Sequence, residues 1–274
     1  MNAYNHGLEA RARGAMDLER WREVAESAVR EGGEEIRRHF TIVGDATEKR
    51  GDDLVTPADL AAETRILQNL RRAEPSFGSI SEEFGASGAD REYVWVVDPL
   101  DGTNNFAIGS PYVGLGVTLS HQGIPIVAAV HEPFSGRVWT AMQGFGARCD
   151  GRTIQVNTVP VPARAVIAYV QGYPVSSDET LRIYVALLGK VKRVLSNWAP
   201  LLDWCLLAEG RIDAVISLDS EPEDQFGGAL IAREAGAHLF DFQGKVAGPT
   251  AARLVAAGST ALRDHLLALL REVG

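Results

Sequence analysis

The chain has 274 residues, 46% of them hydrophobic and 23% charged, which suits one large globular domain or two intimately packed halves. A net charge of −9 with no long Lys/Arg run argues against nucleic-acid binding, and an anionic substrate would need bound cations to offset the acidity. Cys149 and Cys205 are too few for a disulfide framework, the N-terminal stretch lacks the apolar core of a signal peptide, and no apolar run approaches the ~18 residues of a membrane span, so a reducing cytoplasm and no membrane partner are expected.

Residues 1–16 read as a loose tail. Over residues 17–40, Trp21, Val24, Ala25, Ala28, Val29 and Ile36 recur at helical spacing, with Asp17 as N-cap. Residues 41–52 read as a polar loop or weak strand pair. Thr56 as N-cap and Pro57 as first helical residue open a second helix over 58–72. A short strand over 79–83 ends in Glu82 and Glu83. Adjacent strand residues face opposite ways, so one of these two is expected to face a site. The apolar run 93–97 is the central strand. Runs at 112–119, 126–131 and 137–142, split by Gln122-Gly123 and Ser135-Gly136, read as antiparallel hairpins. From about residue 164 the rhythm alternates. Strands are expected at 165–170, 191–195, 213–217, 238–242 and 254–257, and helices at 178–188, 200–209, 224–235 and 260–273. The expected division is a tail at 1–16, an α+β half at 17–160 and an α/β half at 161–274.

The densest chemistry lies in Asp98-Pro99-Leu100-Asp101-Gly102-Thr103-Asn104-Asn105-Phe106. Pro99 keeps Asp98 out of the helical region and is expected to stop the strand ladder. A second carboxylate follows three residues on, then a glycine that permits a tight turn. Two acidic groups on one stiff corner repel unless a divalent cation lies between them, which marks them as hard-cation ligands. The Gly102 and Thr103 amides beyond them suit an anion such as phosphate. Taken alone, the two aspartates also fit turn and cap roles. The six histidines are scattered without paired metal spacing, and no serine lies in a nucleophile elbow.

This stretch closely resembles the D-P-I/L-D-G-T-x-N-F signature of the inositol monophosphatase family of magnesium-dependent phosphatases. Three further pieces match in the same order. Asp53-Leu54-Val55-Thr56-Pro57-Ala58-Asp59 resembles its D-L-V-T-x-x-D, and Ser81-Glu82-Glu83-Phe84-Gly85 resembles its G/S-E-E segment. Glu223-Asp224-Gln225-Phe226-Gly227-Gly228-Ala229, followed by Glu234-Ala235-Gly236, resembles its W-D-x-A-A-G and E-A-G-G. The resemblance implies an α+β fold, the family's αβαβα layered sandwich. It implies a Mg2+-dependent phosphomonoesterase that hydrolyses a small phosphorylated metabolite by in-line attack of a metal-activated water. The implied ligands of two or three Mg2+ ions are Glu82, Asp98, the Leu100 carbonyl, Asp101 and Asp224. Glu82 and Asp98 also count as catalytic. Asp59 would pair with the Thr103 hydroxyl to orient the water, and Gly102 and Thr103 would hold the phosphate. Glu83 would support Glu82, and Lys49 would lie near the site. Lithium inhibition and a homodimer are also implied.

The second half departs from the family pattern. The tryptophan before the last metal aspartate is Glu223 here, and the inositol-binding glutamate, seven residues before that aspartate, falls on Ser217. The Gly-Ser/Thr-Ala segment that touches the sugar becomes Ser196-Asn197-Trp198-Ala199-Pro200, with two extra residues. Asp219, Glu221 and Glu223 make the loop before Asp224 acidic. It reads either as a solvated loop or as a selector of a polyhydroxyl or cationic leaving group. Arg193 and Trp198 are candidates for substrate contact, with a surface ion pair and a core or interface role as their alternatives. Inositol, histidinol, sugar and nucleoside phosphates stay open, as does a non-catalytic regulatory member that binds metal or phosphate ligands.

Overall fold

The computed structural model describes residues 2–40, 47–48, 54–158 and 161–271, with backbone alone at 2–13 and 47–48. Helix α1 (Asn2–His39) opens the chain. The helix expected from residue 17 thus extends back through the supposed tail. Residues 8–16 are mostly Ala, Leu, Glu, Arg and Met, strong helix formers interrupted only by Gly14. Strands β1 (Thr47–Glu48) and β2 (Leu54–Val55) form a small antiparallel pair. Lys49 and Asp53 lie outside the described residues. Helix α2 (Pro57–Ala73) starts at a capping box, in which Thr56 accepts from the Ala58 amide and Asp59 accepts from the Thr56 amide.

The first sheet contains β3 (Gly78–Ser81), β4 (Gly85–Ser87), β5 (Tyr93–Asp101), β6 (Gly114–His121), β7 (Ile124–Glu132), β8 (Arg137–Met142), β9 (Gly146–Cys149) and β10 (Arg152–Thr153). Its order is β10-β9-β8-β7-β6-β5-β3-β4, antiparallel except for the β3–β5 pair. Glu82 and Glu83, expected on a strand, fall just past β3 in the turn to β4. A short helix, α3 (Thr103–Ala107), follows β5.

The second sheet contains β11 (Val166–Gln171), β12 (Arg193–Leu195), β13 (Ala214–Leu218), β14 (His238–Phe240) and β15 (Arg253–Ala257). Its order is β12-β11-β13-β15-β14, parallel over the first three strands and antiparallel over the rest. The accompanying helices are α4 (Ser177–Leu187), α5 (Pro200–Ala208), α6 (Pro222–Glu234) and α7 (Thr260–Arg271).

Strand alternation sorts these elements into layers. In β7, Val127 and Ala129 face a core with α1 and α2, while Ala128 and Val130 face a second core with α5 and α6. In β11, Ala168 and Val170 join that second core, while Ile167 and Tyr169 face a third with α4 and α7. The order is therefore helices, sheet, helices, sheet, helices: the expected αβαβα sandwich. Both sheets are covered on both faces, which explains why their strands read as near-continuous apolar runs.

Candidate active site

The site is organised by an irregularity in β5. Its register with β6 is regular as far as Asp98 opposite Gly116, and resumes with Asp101 opposite Gly114. Three steps on one strand match two on the other, a one-residue bulge over Pro99 and Leu100. Residues three apart on an unbroken strand face opposite sides. The extra residue cancels that alternation and brings Asp98 and Asp101 to one side. Pro99, expected to end the ladder, lies inside the strand, because a bulged residue needs no ladder donor. Asp224 arrives from α6, and carboxylate oxygens of Asp98, Asp101 and Asp224 lie within 4.8 Å of one another. The helix begins at Pro222, two residues before the expected start, with Glu221 as N-cap, so Asp224 is a first-turn residue.

The electrostatics of this cluster are unfavourable as it stands. Asp98 Oδ1 accepts the Leu100 amide at 3.0 Å, and Asp101 Oδ2 accepts the Leu202 amide at 3.4 Å. The other two oxygens, Asp98 Oδ2 and Asp101 Oδ1, are buried without a hydrogen-bond partner. Burial pushes the Asp98 carboxyl well above its usual range, and the charges of Glu82, Asp101, Asp224 and Glu223 push it further. Asp101 is raised by burial, then by Asp224 and Asp203, against the Leu202 and Leu201 amides. A divalent cation among these oxygens would relieve both the repulsion and the missing partners. The cluster is all carboxylate, a hard donor set that fits Mg2+ and not a thiolate- or imidazole-seeking metal. Glu82 lies outside the 4.8 Å cluster, yet after burial its charge is the largest influence on Asp98.

Beside the carboxylates lies the Thr103 hydroxyl. Thr103 Oγ1 is 3.0 Å from Asp59 Oδ1 and 3.0 Å from the Leu100 carbonyl, so its single proton is shared between two acceptors. Asp59 is fully buried, and its Oδ2 accepts the Thr56 amide at 2.8 Å and the Thr56 hydroxyl at 2.5 Å. Burial raises the Asp59 carboxyl, opposed by the bonds from Thr56 and Thr103. Gly102, ahead of α3, has φ 91°, a left-handed conformation that glycine alone takes readily. A Cβ there would also lie 3.0 Å from the Trp198 carbonyl oxygen.

That contact shows where the longer loop before α5 goes: residues 196–199 lie on the Gly102 turn. Asn105 Nδ2 donates to the Asn197 carbonyl at 2.7 Å and to the Tyr112 carbonyl at 2.8 Å. Asn197 Nδ2 donates to Asp203 Oδ1 at 2.6 Å, and the Tyr112 hydroxyl donates to the same oxygen at 3.3 Å. Burial lifts Asp203 to about 6, against the bonds from Asn197 and Tyr112. On this base Trp198 has φ 54° and leaves 63% of its surface exposed.

The remaining sequence candidates divide. Ser217 is fully buried in β13, with its hydroxyl bonded to Gln225 at 2.7 Å, so it presents no surface to a ligand. Arg193 is exposed at the start of edge strand β12, at the far end from loop 196–199. Asp219 is bound by Arg253 at 2.8 Å, which also holds Glu179 of α4, so part of the acidic loop is structural. Glu83 donates its amide to Glu63 Oε2 at 2.9 Å. Glu63 itself, fully buried on α2, escaped the sequence reading. Its signal was the four-residue spacing from Asp59, which places both carboxylates on one helix face.

These features match known proteins along nearly the whole chain. The inositol monophosphatase family model matches residues 17–274. Inositol monophosphatase 3 of Solanum lycopersicum is 34% identical over 263 residues, 93% of this chain and 98% of that protein. Nus factor SuhB of Vibrio cholerae is 32% identical over 226 residues, 81% of this chain and 85% of that protein. The crystal structure of extragenic suppressor protein suhB from Bartonella henselae superposes with a TM-score of 0.84 at 27% identity, covering 91% of this chain and 98% of that one. The chain belongs to the inositol monophosphatase family.

Proposed function

We propose that this chain is a Mg2+-dependent phosphomonoesterase acting on a small phosphorylated metabolite. The observation that carries the reading is the pair of buried, unpartnered oxygens, Asp98 Oδ2 and Asp101 Oδ1, clustered with Asp224. Glu82, Asp98, Asp101, Asp224 and the Leu100 carbonyl would hold two or three Mg2+ ions, which supply Lewis acidity and lower the pKa of bound water. The Thr103 hydroxyl, its proton shared between Asp59 and the Leu100 carbonyl, would turn a lone pair toward the attacking water and orient it in line with the leaving oxygen. The Gly102 and Thr103 amides donate to the phosphate oxygens as their charge grows. Trp198, exposed on the loop against Gly102, is the leaving-group contact in this reading.

The test is phosphate release with magnesium across a panel of inositol, histidinol, sugar and nucleoside monophosphates. EDTA should abolish release, and Asp98→Asn should lower turnover by orders of magnitude. Full activity in Asp98→Asn would overturn the proposal.

A second reading, a non-catalytic ligand-binding member, is favoured by the relative named Nus factor SuhB. Glu223, in the tryptophan's place with its charge bearing on Asp98, points the same way. Magnesium binding by calorimetry with no release from any ester would select it. A homodimer in the cytoplasm is part of the first proposal, and light scattering tests the assembly. No helix among the described residues is long and apolar enough to cross a membrane.

A further inference from the structure

We infer that Glu63 is a positioning residue for the metal site: it fixes the turn that carries Glu82 and thereby sets magnesium affinity. The inference rests on the metal-site reading above. Glu63 is fully buried on α2, one helical turn after Asp59. Its Oε1 accepts the Ser81 hydroxyl at 2.5 Å and the Phe84 amide at 2.8 Å, and its Oε2 accepts the Glu83 amide at 2.9 Å. These donors bracket Glu82 on both sides. Ser81 pairs with Val97 in the parallel β3–β5 ladder, so Glu82 leaves β3 beside Asp98, whose carboxyl its charge helps to raise. A change in the 81–84 turn therefore moves a carboxylate that acts directly on the cluster.

The chemistry of the clamp demands a carboxylate. Both oxygens face backbone N–H groups, which cannot reverse their role. A glutamine would turn its NH2 toward one of those donors in either orientation. A buried acid is costly unless it is hydrogen-bonded, and the three donors of the 81–84 turn meet that requirement. Asp59 and Glu63 lie on one face of α2, and each holds a different part of the site: Asp59 the Thr103 hydroxyl, Glu63 the Glu82 turn. The helix thus acts as a rod that sets the spacing between them.

The experiment uses the full chain, stripped of metal, with magnesium titrated by calorimetry and phosphate release followed against magnesium concentration. Glu63→Gln should raise the magnesium Kd by about 10–100-fold, the usual effect of removing a group that orients a ligand. Excess magnesium should restore most of the turnover, and the substrate KM should move little. Ser81→Ala, which removes one donor of the clamp, should give a smaller shift in the same direction. Thermal melts of the metal-free proteins monitor the fold. A lower Tm with unchanged magnesium affinity would make Glu63 a purely structural residue and overturn the inference. Should Glu63→Gln fail to fold, Ser81→Ala decides, and unchanged affinity there overturns it equally. The two readings fail differently. A wild type that binds magnesium but releases no phosphate defeats the phosphatase reading while the calorimetric comparison still decides on Glu63. A wild type that binds no magnesium defeats both before any variant is compared.

Discussion

Asp98 is a residue the fold holds at a cost. It is buried, one of its oxygens has no partner, and four acidic neighbours raise its carboxyl well above the ordinary range. A raised carboxylate means the folded state binds protons more tightly than the unfolded chain. Without metal, the stability Asp98 contributes therefore falls as pH rises from the ordinary aspartate value toward neutrality. Asp98→Asn keeps the shape and the bond from the Leu100 amide but removes the charge. In EDTA at neutral pH its Tm should exceed that of the wild type by a few degrees, the equivalent of about 1 kcal/mol in a chain of this size. In saturating magnesium the order should invert, because the variant lacks one ligand and gains less from the ion. A variant less stable than wild type in EDTA would show that the repulsion is not felt. Trp198 makes the converse case. A bulky residue at φ 54° carries backbone strain of about 1–3 kcal/mol. Trp198→Gly should leave stability equal or higher while the KM of the preferred ester rises severalfold, so denaturation and kinetics should move in opposite senses. The sequence marked Trp198 as an insertion beside a family motif, but its left-handed backbone depends on Asn105 and Asn197 closing the loop, which no local pattern reveals.

Helix α6 brings Asp224 to the cluster, and it does so by lying very close to its neighbours. A Cβ on Gly227 would fall 2.5 Å from Thr118 Oγ1, and one on Gly228 would fall 2.5 Å from Trp204 Cβ. The second is the harder clash, because Trp204 Cβ is fixed to the backbone of α5. Alanine gains about 1 kcal/mol in helix propensity over glycine. Overpacking a buried contact costs about 1–3 kcal/mol, so the clash should win. Gly228→Ala should therefore lower stability in urea and weaken magnesium binding together as α6 shifts. Weakened stability with intact binding would separate the helix position from the site. The glycine pair was visible in the sequence, but what it approaches was not. Helix α1 is docked by a different device: buried His131 of β7 donates from Nδ1 to the Val29 carbonyl at 3.0 Å. Burial lowers His131 to about 4, below its ordinary 6.5. Between these values the unfolded chain binds a proton that the folded one refuses, so stability falls as pH drops from 6.5 toward 4. His131→Gln should start less stable at pH 7.5 but lose less than the wild type on going to pH 5, read as the difference in urea midpoints. An equal loss in both would remove His131 as a source of the acid sensitivity.

At the scale of the molecule, what was legible followed from periodicity, and what was not followed from pairing. Strands buried on both faces announce themselves as apolar runs, so β5, β7, β11 and β13 could be read directly. The order β12-β11-β13-β15-β14 could not, because it depends on which edges meet after the helices cross over. The same distinction holds in the site. Asp98 and Asp101 were legible from a proline–glycine corner, while the bulge that aligns them is a property of β5 against β6. The spacing of Glu63 from Asp59 places both on one helix face, but nothing local indicates that a turn will be clamped to Glu63. One consequence concerns the division near residue 160. The middle core contains side chains from both sheets together with α5 and α6, so neither half can open without exposing the other. Asp98 and Asp101 come from the first sheet's strand, and Asp224 comes from that middle helix layer. Magnesium binding should therefore stabilise the molecule as a unit. At a free concentration of about 100 times Kd the gain is about 2.7 kcal/mol, and a single thermal transition should move upward intact. Calorimetric scans with and without magnesium test this. Two transitions, only one of them shifted, would show that the halves are separate folding units and that the shared core does not couple them.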